Sequence, residues 1–77
     1  MEHQHTRSMR AGIQQRLARN VQALHDASGM KKSAFALMLG ISRPQLDLIE
    51  QGRCNMKLLN LEKLADRLGV TAADLIK

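Results

Sequence analysis

Tryptophan and tyrosine are absent from this chain, and Phe35 is its sole aromatic residue. Strands favour aromatic and β-branched side chains, so an apolar complement that is nearly all aliphatic points to a helical core. The single cysteine, Cys54, excludes an internal disulfide and leaves no set of thiols for a structural metal, which suits a reducing cytosol. Long apolar runs are missing as well. No stretch approaches the ~20 residues needed to span a bilayer, and residues 1–16 lack the apolar segment of a secretory signal, so a soluble cytoplasmic chain is expected. His3 and His5 stand in His-x-His spacing with no third ligand nearby. With no nucleophile and base together, no phosphate loop and no metal set, neither an enzyme nor a bound cofactor is expected.

What is present is short and basic. Seventy-seven residues make one small domain, whose core must be efficient because a chain of this size buries a modest fraction of its surface. A net charge of +5 suits a polyanionic partner, although charge alone is also compatible with any basic soluble domain.

Apolar spacing divides the chain into five helices. Residues 1–7 are polar and unpatterned and read as a flexible N-terminal arm, with residues 8–77 as the folded domain. Ile13, Leu17, Val21 and Leu24 form a helical stripe from about Ser8, whose hydroxyl is placed to cap it, to Ala27, with Arg10, Arg16, Arg19 and Gln22 on the other faces. A fourth helix is predicted from Leu58 to Leu68, with Leu61, Leu64, Ala65 and Leu68 inward and Gly69 as its stop. Thr71 and Asp74 have capping-box spacing and start a short fifth helix carrying Leu75 and Ile76.

The organising stretch lies between these, at about residues 31–53. It holds a short helix with Phe35, Ala36 and Leu39 on one side, a break at Gly40, and a second helix that carries Leu46 and Ile49 inward. Gly40 takes a positive φ without steric cost, so the chain turns sharply after Leu39. Ser42 is placed to cap the second helix, and Pro44 sits in its first turn, where a missing N–H is harmless. Ala36 is small where the two helices would cross. Such a pair is the pattern of a helix-turn-helix.

These residues resemble the Cro/C1 (XRE) family of phage and bacterial repressor DNA-binding domains. Phe35-Ala36 stands where that family has Leu-Ala, Gly40-Ile41-Ser42 matches its turn, and Ile49-Glu50-Gln51-Gly52-Arg53 matches the end of its recognition helix. The likeness continues through Leu64-Ala65, Leu68-Gly69-Val70 and Ala73-Asp74-Leu75, covering roughly Leu17 to Ile76. It implies an all-α, five-helix, lambda-repressor-like domain.

The resemblance also implies where DNA would lie. The second helix of the motif would enter the major groove and turn Arg43, Pro44, Asp47 and Leu48 toward the bases, with Gln45 and Ser42 at the flank. Arg43 has forked donors that suit guanine O6 and N7, a pairing worth about 1 to 3 kcal/mol of discrimination. Pro44 and Leu48 offer only apolar contact to a thymine methyl, and Asp47 would accept from cytosine N4 or pair with Arg43 one turn back. Lys31 and Lys32 open the first helix of the motif, where the family often grips a phosphate, and Arg53 matches a basic family position. Glu50 often pairs with an arginine of the first helix in this family; the matching position here is His25, so a His25–Glu50 contact is expected.

The resulting expectation is a homodimer that binds double-stranded DNA and regulates transcription as a small repressor or antitoxin-like protein. Its dimer surface is expected to involve Met56, Leu59, Leu75 and Ile76. Apolar residues at Leu37, Met38, Leu48, Met56 and Leu59 keep an alternative open, a protein-interaction module on the same fold with little DNA reading. Cys54 is expected to be an unreactive surface thiol.

Overall fold

The computed structural model describes residues 2–77, with side chains from Gly12 onward. Five helices follow one another: α1 Glu2–Ser28, α2 Lys32–Leu39, α3 Arg43–Glu50, α4 Leu58–Leu68 and α5 Ala72–Ile76. Among the described residues there is no strand. The backbone helix of α1 therefore starts at Glu2 and not at Ser8. Neither proline nor glycine interrupts residues 2–11, so nothing in the backbone chemistry stops a helix already formed from propagating toward the N-terminus. Ser8 as a cap and the His3–His5 pair concern side chains outside the described residues.

The core gathers Leu17 and Val21 from α1, Phe35, Ala36 and Leu39 from α2, Leu46 and Ile49 from α3, Leu61, Leu64 and Ala65 from α4, and Leu75 from α5. Phe35, Leu46, Ile49, Val21 and Leu75 are fully enclosed, and burying a side chain of this kind stabilises by about 1.5 to 3 kcal/mol. The buried stripe on α1 begins one turn later than its sequence suggests: Ile13 is 48% exposed, and Leu17 is the first of the four to enter the core.

The corner of the motif has the cap that its glycine predicts. Gly40 takes φ +74°, and the Ile41 N–H reaches back to the Ala36 carbonyl at 3.1 Å. This is a Schellman closure, which satisfies the end of α2 while seating Ile41 against the core. After α3 the same device recurs, with Gly52 at φ +72° and the Arg53 N–H bonded to the Leu48 carbonyl at 2.9 Å.

Two polar side chains of α1 extend this packing. Gln22 Nε2 donates to the Glu50 carbonyl at 2.9 Å, and Asn20 Nδ2 donates to the Leu75 carbonyl at 2.9 Å. Both satisfy terminal carbonyls that the helices themselves leave open. Gln22, assigned by spacing to an outer face, thus ties α1 to the end of α3.

Candidate nucleic-acid interface

The eight residues of α3 are divided sharply by their spacing. Leu46 and Ile49 are buried, whereas Arg43, Pro44 and Gln45 are exposed and Leu48 is 42% exposed. Asp47 lies on the same outward side with 40% of its side chain exposed. The outer face therefore presents one arginine, one carboxylate and two apolar groups.

The start of α3 is held by a reciprocal pair. Ser42 Oγ accepts from the Gln45 N–H at 3.2 Å, while Gln45 Oε1 accepts from the Ser42 N–H at 2.9 Å. This is a capping box, and it occupies the amide oxygen of Gln45, leaving the amide nitrogen as its outward donor. The Ser-x-x-Gln spacing would have signalled it, but Gln45 reads from sequence alone as a flank residue.

Lys31 and Lys32 part company in the structure. Lys31 is the exposed N-cap of α2 and makes no side-chain cap. Lys32 Nζ is bound by Asp47 Oδ1 and, at 3.0 Å, by Glu50 Oε1. Hydrogen bonding to Asp47 first, and to Glu50 second, raises the Lys32 pKa above its ordinary value. Asp47 thus pairs with Lys32 and not with Arg43: the start of α2 lies against α3 closely enough for the ammonium to reach both carboxylates. Among the described residues no ion pair engages Arg43, Lys31 or Arg53.

The same network runs inward to His25. Its Nδ1 lies 3.0 Å from Glu50 Oε2, and its Nε2 lies 3.0 Å from the Met30 carbonyl oxygen. Both neighbours are acceptors, so a ring carrying both protons donates to each. The ring also stacks on Phe35, with centroids 4.5 Å apart and planes 11° from parallel. Glu50, whose side chain is 10% exposed, therefore has both oxygens occupied, which a carboxylate in a largely apolar setting requires.

Beside α3 lies an open groove of about 820 Å³, lined among others by Gln45, Leu48, Arg53, Asn55, Asn60 and Lys63. Cys54 also lines it, and desolvation raises the thiol's pKa, which works against reactivity. Gln14 Nε2 donates to the Cys54 carbonyl at 2.9 Å and fixes this turn to α1. Lys57, the N-cap of α4, likewise makes no side-chain cap.

The residues expected at a dimer surface separate. Leu75 is fully buried, Met56 and Ile76 are partly buried against the core, and of the four only Leu59 is exposed. The sequence showed apolar residues there but not which way the short α5 turns them. Leu58 and Leu37 are more exposed still.

A short helix with a donor-bearing outer face, set by a tight turn on a second helix whose lysine start lies open, defines a helix-turn-helix DNA-binding domain. The Cro/C1-type HTH DNA-binding domain matches residues 20–77, and the chain belongs to that family. The chain is 32% identical to the control protein C.MunI of Mycoplasma sp. over 50 residues, which cover 65% of this chain and 68% of that protein. It is similar in structure to a hypothetical transcription factor, NHTF, from Neisseria, with a TM-score of 0.75 and 31% identity over 84% of this chain and 75% of that one. A helix-turn-helix transcriptional regulator from Vibrio cholerae shares the fold, with a TM-score of 0.76 and 23% identity; the match covers 86% of this chain and 37% of that protein. No described helix is long and apolar enough to cross a membrane.

Proposed function

We propose that the chain is a cytoplasmic, non-enzymatic regulator of transcription that binds double-stranded DNA in a sequence-dependent way, as a homodimer and a small repressor or antitoxin-like protein. The observation that carries this reading is the outer face of α3, where Arg43 stands exposed and unpaired among the described residues. In the major groove Arg43 meets guanine, Pro44 and Leu48 touch thymine methyls, and Asp47 faces the bases beside them. Lys31 and Arg53 take phosphates on the flanks, Ser42 and the amide nitrogen of Gln45 lie at the edge, and Lys57, at the uncapped start of α4, takes a further phosphate. Lys32, turned onto two carboxylates, contributes through α3 and not through the backbone of DNA.

A single recognition helix reads few base pairs, whereas two related by a two-fold axis read half-sites about 34 to 36 Å apart or a multiple. Leu58 and Leu59, exposed side by side at the start of α4, are the apolar surface offered for that contact. Leu48, half-exposed within the base-facing set, is the observation on the side of an interaction module with little DNA reading.

One experiment decides between the two. Fluorescence anisotropy on mixed-sequence duplexes across a salt series should show affinity falling steeply as salt rises. Arg43→Ala should then flatten base preference at one position of a selected site by about 5- to 150-fold. An absence of binding to any duplex at low salt would leave the interaction module standing.

A further inference from the structure

Asp47 is the one anion on the outward face of α3, where phosphates would repel it. The structure gives it a counter-charge. Lys32 Nζ is bonded to Asp47 Oδ1 and is anchored in turn by Glu50 Oε1 at 3.0 Å, while Glu50 Oε2 is held by His25 at 3.0 Å. Two of the three Lys32 N–H donors are committed to carboxylates, one of them 10% exposed; swinging the ammonium away to a phosphate would strip a partner from a largely buried charge, which is costly. The ammonium therefore stays and fixes the Asp47 rotamer. Among the described residues hydrogen bonds reach the Asp47 carboxylate through Oδ1 alone, so Oδ2 remains an acceptor on a side chain that is 40% exposed.

An ionised carboxylate only accepts. In the major groove guanine O6 and N7 and thymine O4 are acceptors as well and repel it, which leaves the exocyclic amines of cytosine and adenine. Adenine N6 lies between its own N7 and the O4 of its paired thymine, acceptors on both sides. Cytosine N4 has the paired guanine O6 on one side and only the C5–H edge on the other. Cytosine is thus the base on which a carboxylate meets less repulsion.

We propose that Asp47, neutralised and oriented by Lys32, is a specificity-determining residue that accepts from cytosine N4, and that Lys32 is its positioning residue and not a phosphate contact. This rests on the docking of α3 proposed above.

The test is selection from a randomised duplex pool with the full chain, followed by binding measurements on single-base variants of the selected site. Wild type should prefer cytosine at one position by on the order of tenfold. Asp47→Ala and Lys32→Met should each flatten that position while the position governed by Arg43 keeps its preference. Lys32→Arg should restore the cytosine preference, and Asp47→Asn should shift it toward adenine, whose N6 and N7 suit an amide. A Lys32→Met variant that keeps the preference but weakens all sequences alike, with a salt slope lower by about one, would overturn the proposal and make Lys32 a phosphate contact. Selection of adenine by the wild type, or an Asp47→Ala variant that alters no position, would overturn it as well. Should Lys32→Met fail to fold, Lys32→Arg and the Asp47 variants decide on the same criteria. Failure of the wild type to bind any duplex refutes the docking itself, and so is told apart from a bound chain that ignores cytosine.

Discussion

Two helices of this domain begin on a hydroxyl and two begin on a lysine. At the starts of α3 and α5, Ser42 and Thr71 accept from a first-turn N–H, and the third residue of each helix closes a capping box. At the starts of α2 and α4, Lys31 and Lys57 make no side-chain cap. An ammonium has no lone pair to offer an N–H, and it sits badly against the positive end of the helix dipole. Locally the lysine is the wrong residue, and the fold uses it twice. A phosphate oxygen placed there would accept from the open N–H groups and pair with the lysine together. Local rules broken without compensation inside a fold tend to mark its functional surfaces, and the first of these starts adjoins α3, since Lys32 beside it reaches Asp47.

The largest effect should come from removing both lysines. Lys31→Ala with Lys57→Ala should weaken binding to mixed-sequence duplex roughly tenfold for each residue at about 0.1 M salt, and should lower the salt slope by about two. Thermal stability should hold or rise, because each alanine removes a cation from the positive end of a helix dipole. A melting temperature that collapses while the salt slope stays put would show that the lysines serve the fold, and the contrast between the two kinds of start would lose its meaning.

The hydroxyl starts should behave in the opposite way. Ser42→Ala or Thr71→Ala should cost about 1 kcal/mol of stability, which lowers the melting midpoint by about 4 to 8 °C in a domain of this size. The salt slope should not change. Lys31→Ser sharpens the comparison by exchanging one kind of start for the other: it should gain some of that stability and lose the affinity that Lys31 supplies. Thermal melts and salt-dependent anisotropy on the same samples check both halves.

How far the sequence shows this depends on the distance between partners. Gly40, Ser42, Leu46 and Ile49 act within a turn or two of their own position, and the turn, the cap and the buried side of α3 can all be read from their spacing. Thr71 and Asp74 are legible for the same reason. The pairing of Asp47 is not, because along the chain the nearest cation at helical spacing is Arg43, whereas the one that reaches it is Lys32, fifteen residues away. The His25–Glu50 contact, at 25 residues' separation, is suggested by family resemblance, not by periodicity. Leu75 shows a different limit. A five-residue helix is too short for its stripe to say which of two adjacent apolar side chains turns inward, and the core takes Leu75 while Ile76 stays at the edge.

The smallest effect belongs to the acid limb of stability. The Asp74 carboxylate accepts from the Thr71 backbone N–H at 3.0 Å, and this bond, with the Thr71 hydroxyl and then Lys77, holds its pKa below the ordinary value of 3.8. Because the folded value is the lower one, the contribution is complete above the unfolded value and is lost as pH falls through the folded one. Stability should therefore decline below about pH 4 in part through α5, and Asp74→Asn should flatten that decline while leaving Thr71 a neutral acceptor to donate to. The starts of α2 and α4 have no counterpart to this, since no carboxylate closes a capping box there. Urea melts between pH 2.5 and 6 would separate the two: an acid limb identical in wild type and Asp74→Asn would mean that the box at Thr71 carries no charge-dependent part, and that the difference between the two kinds of start lies in the N–H groups alone.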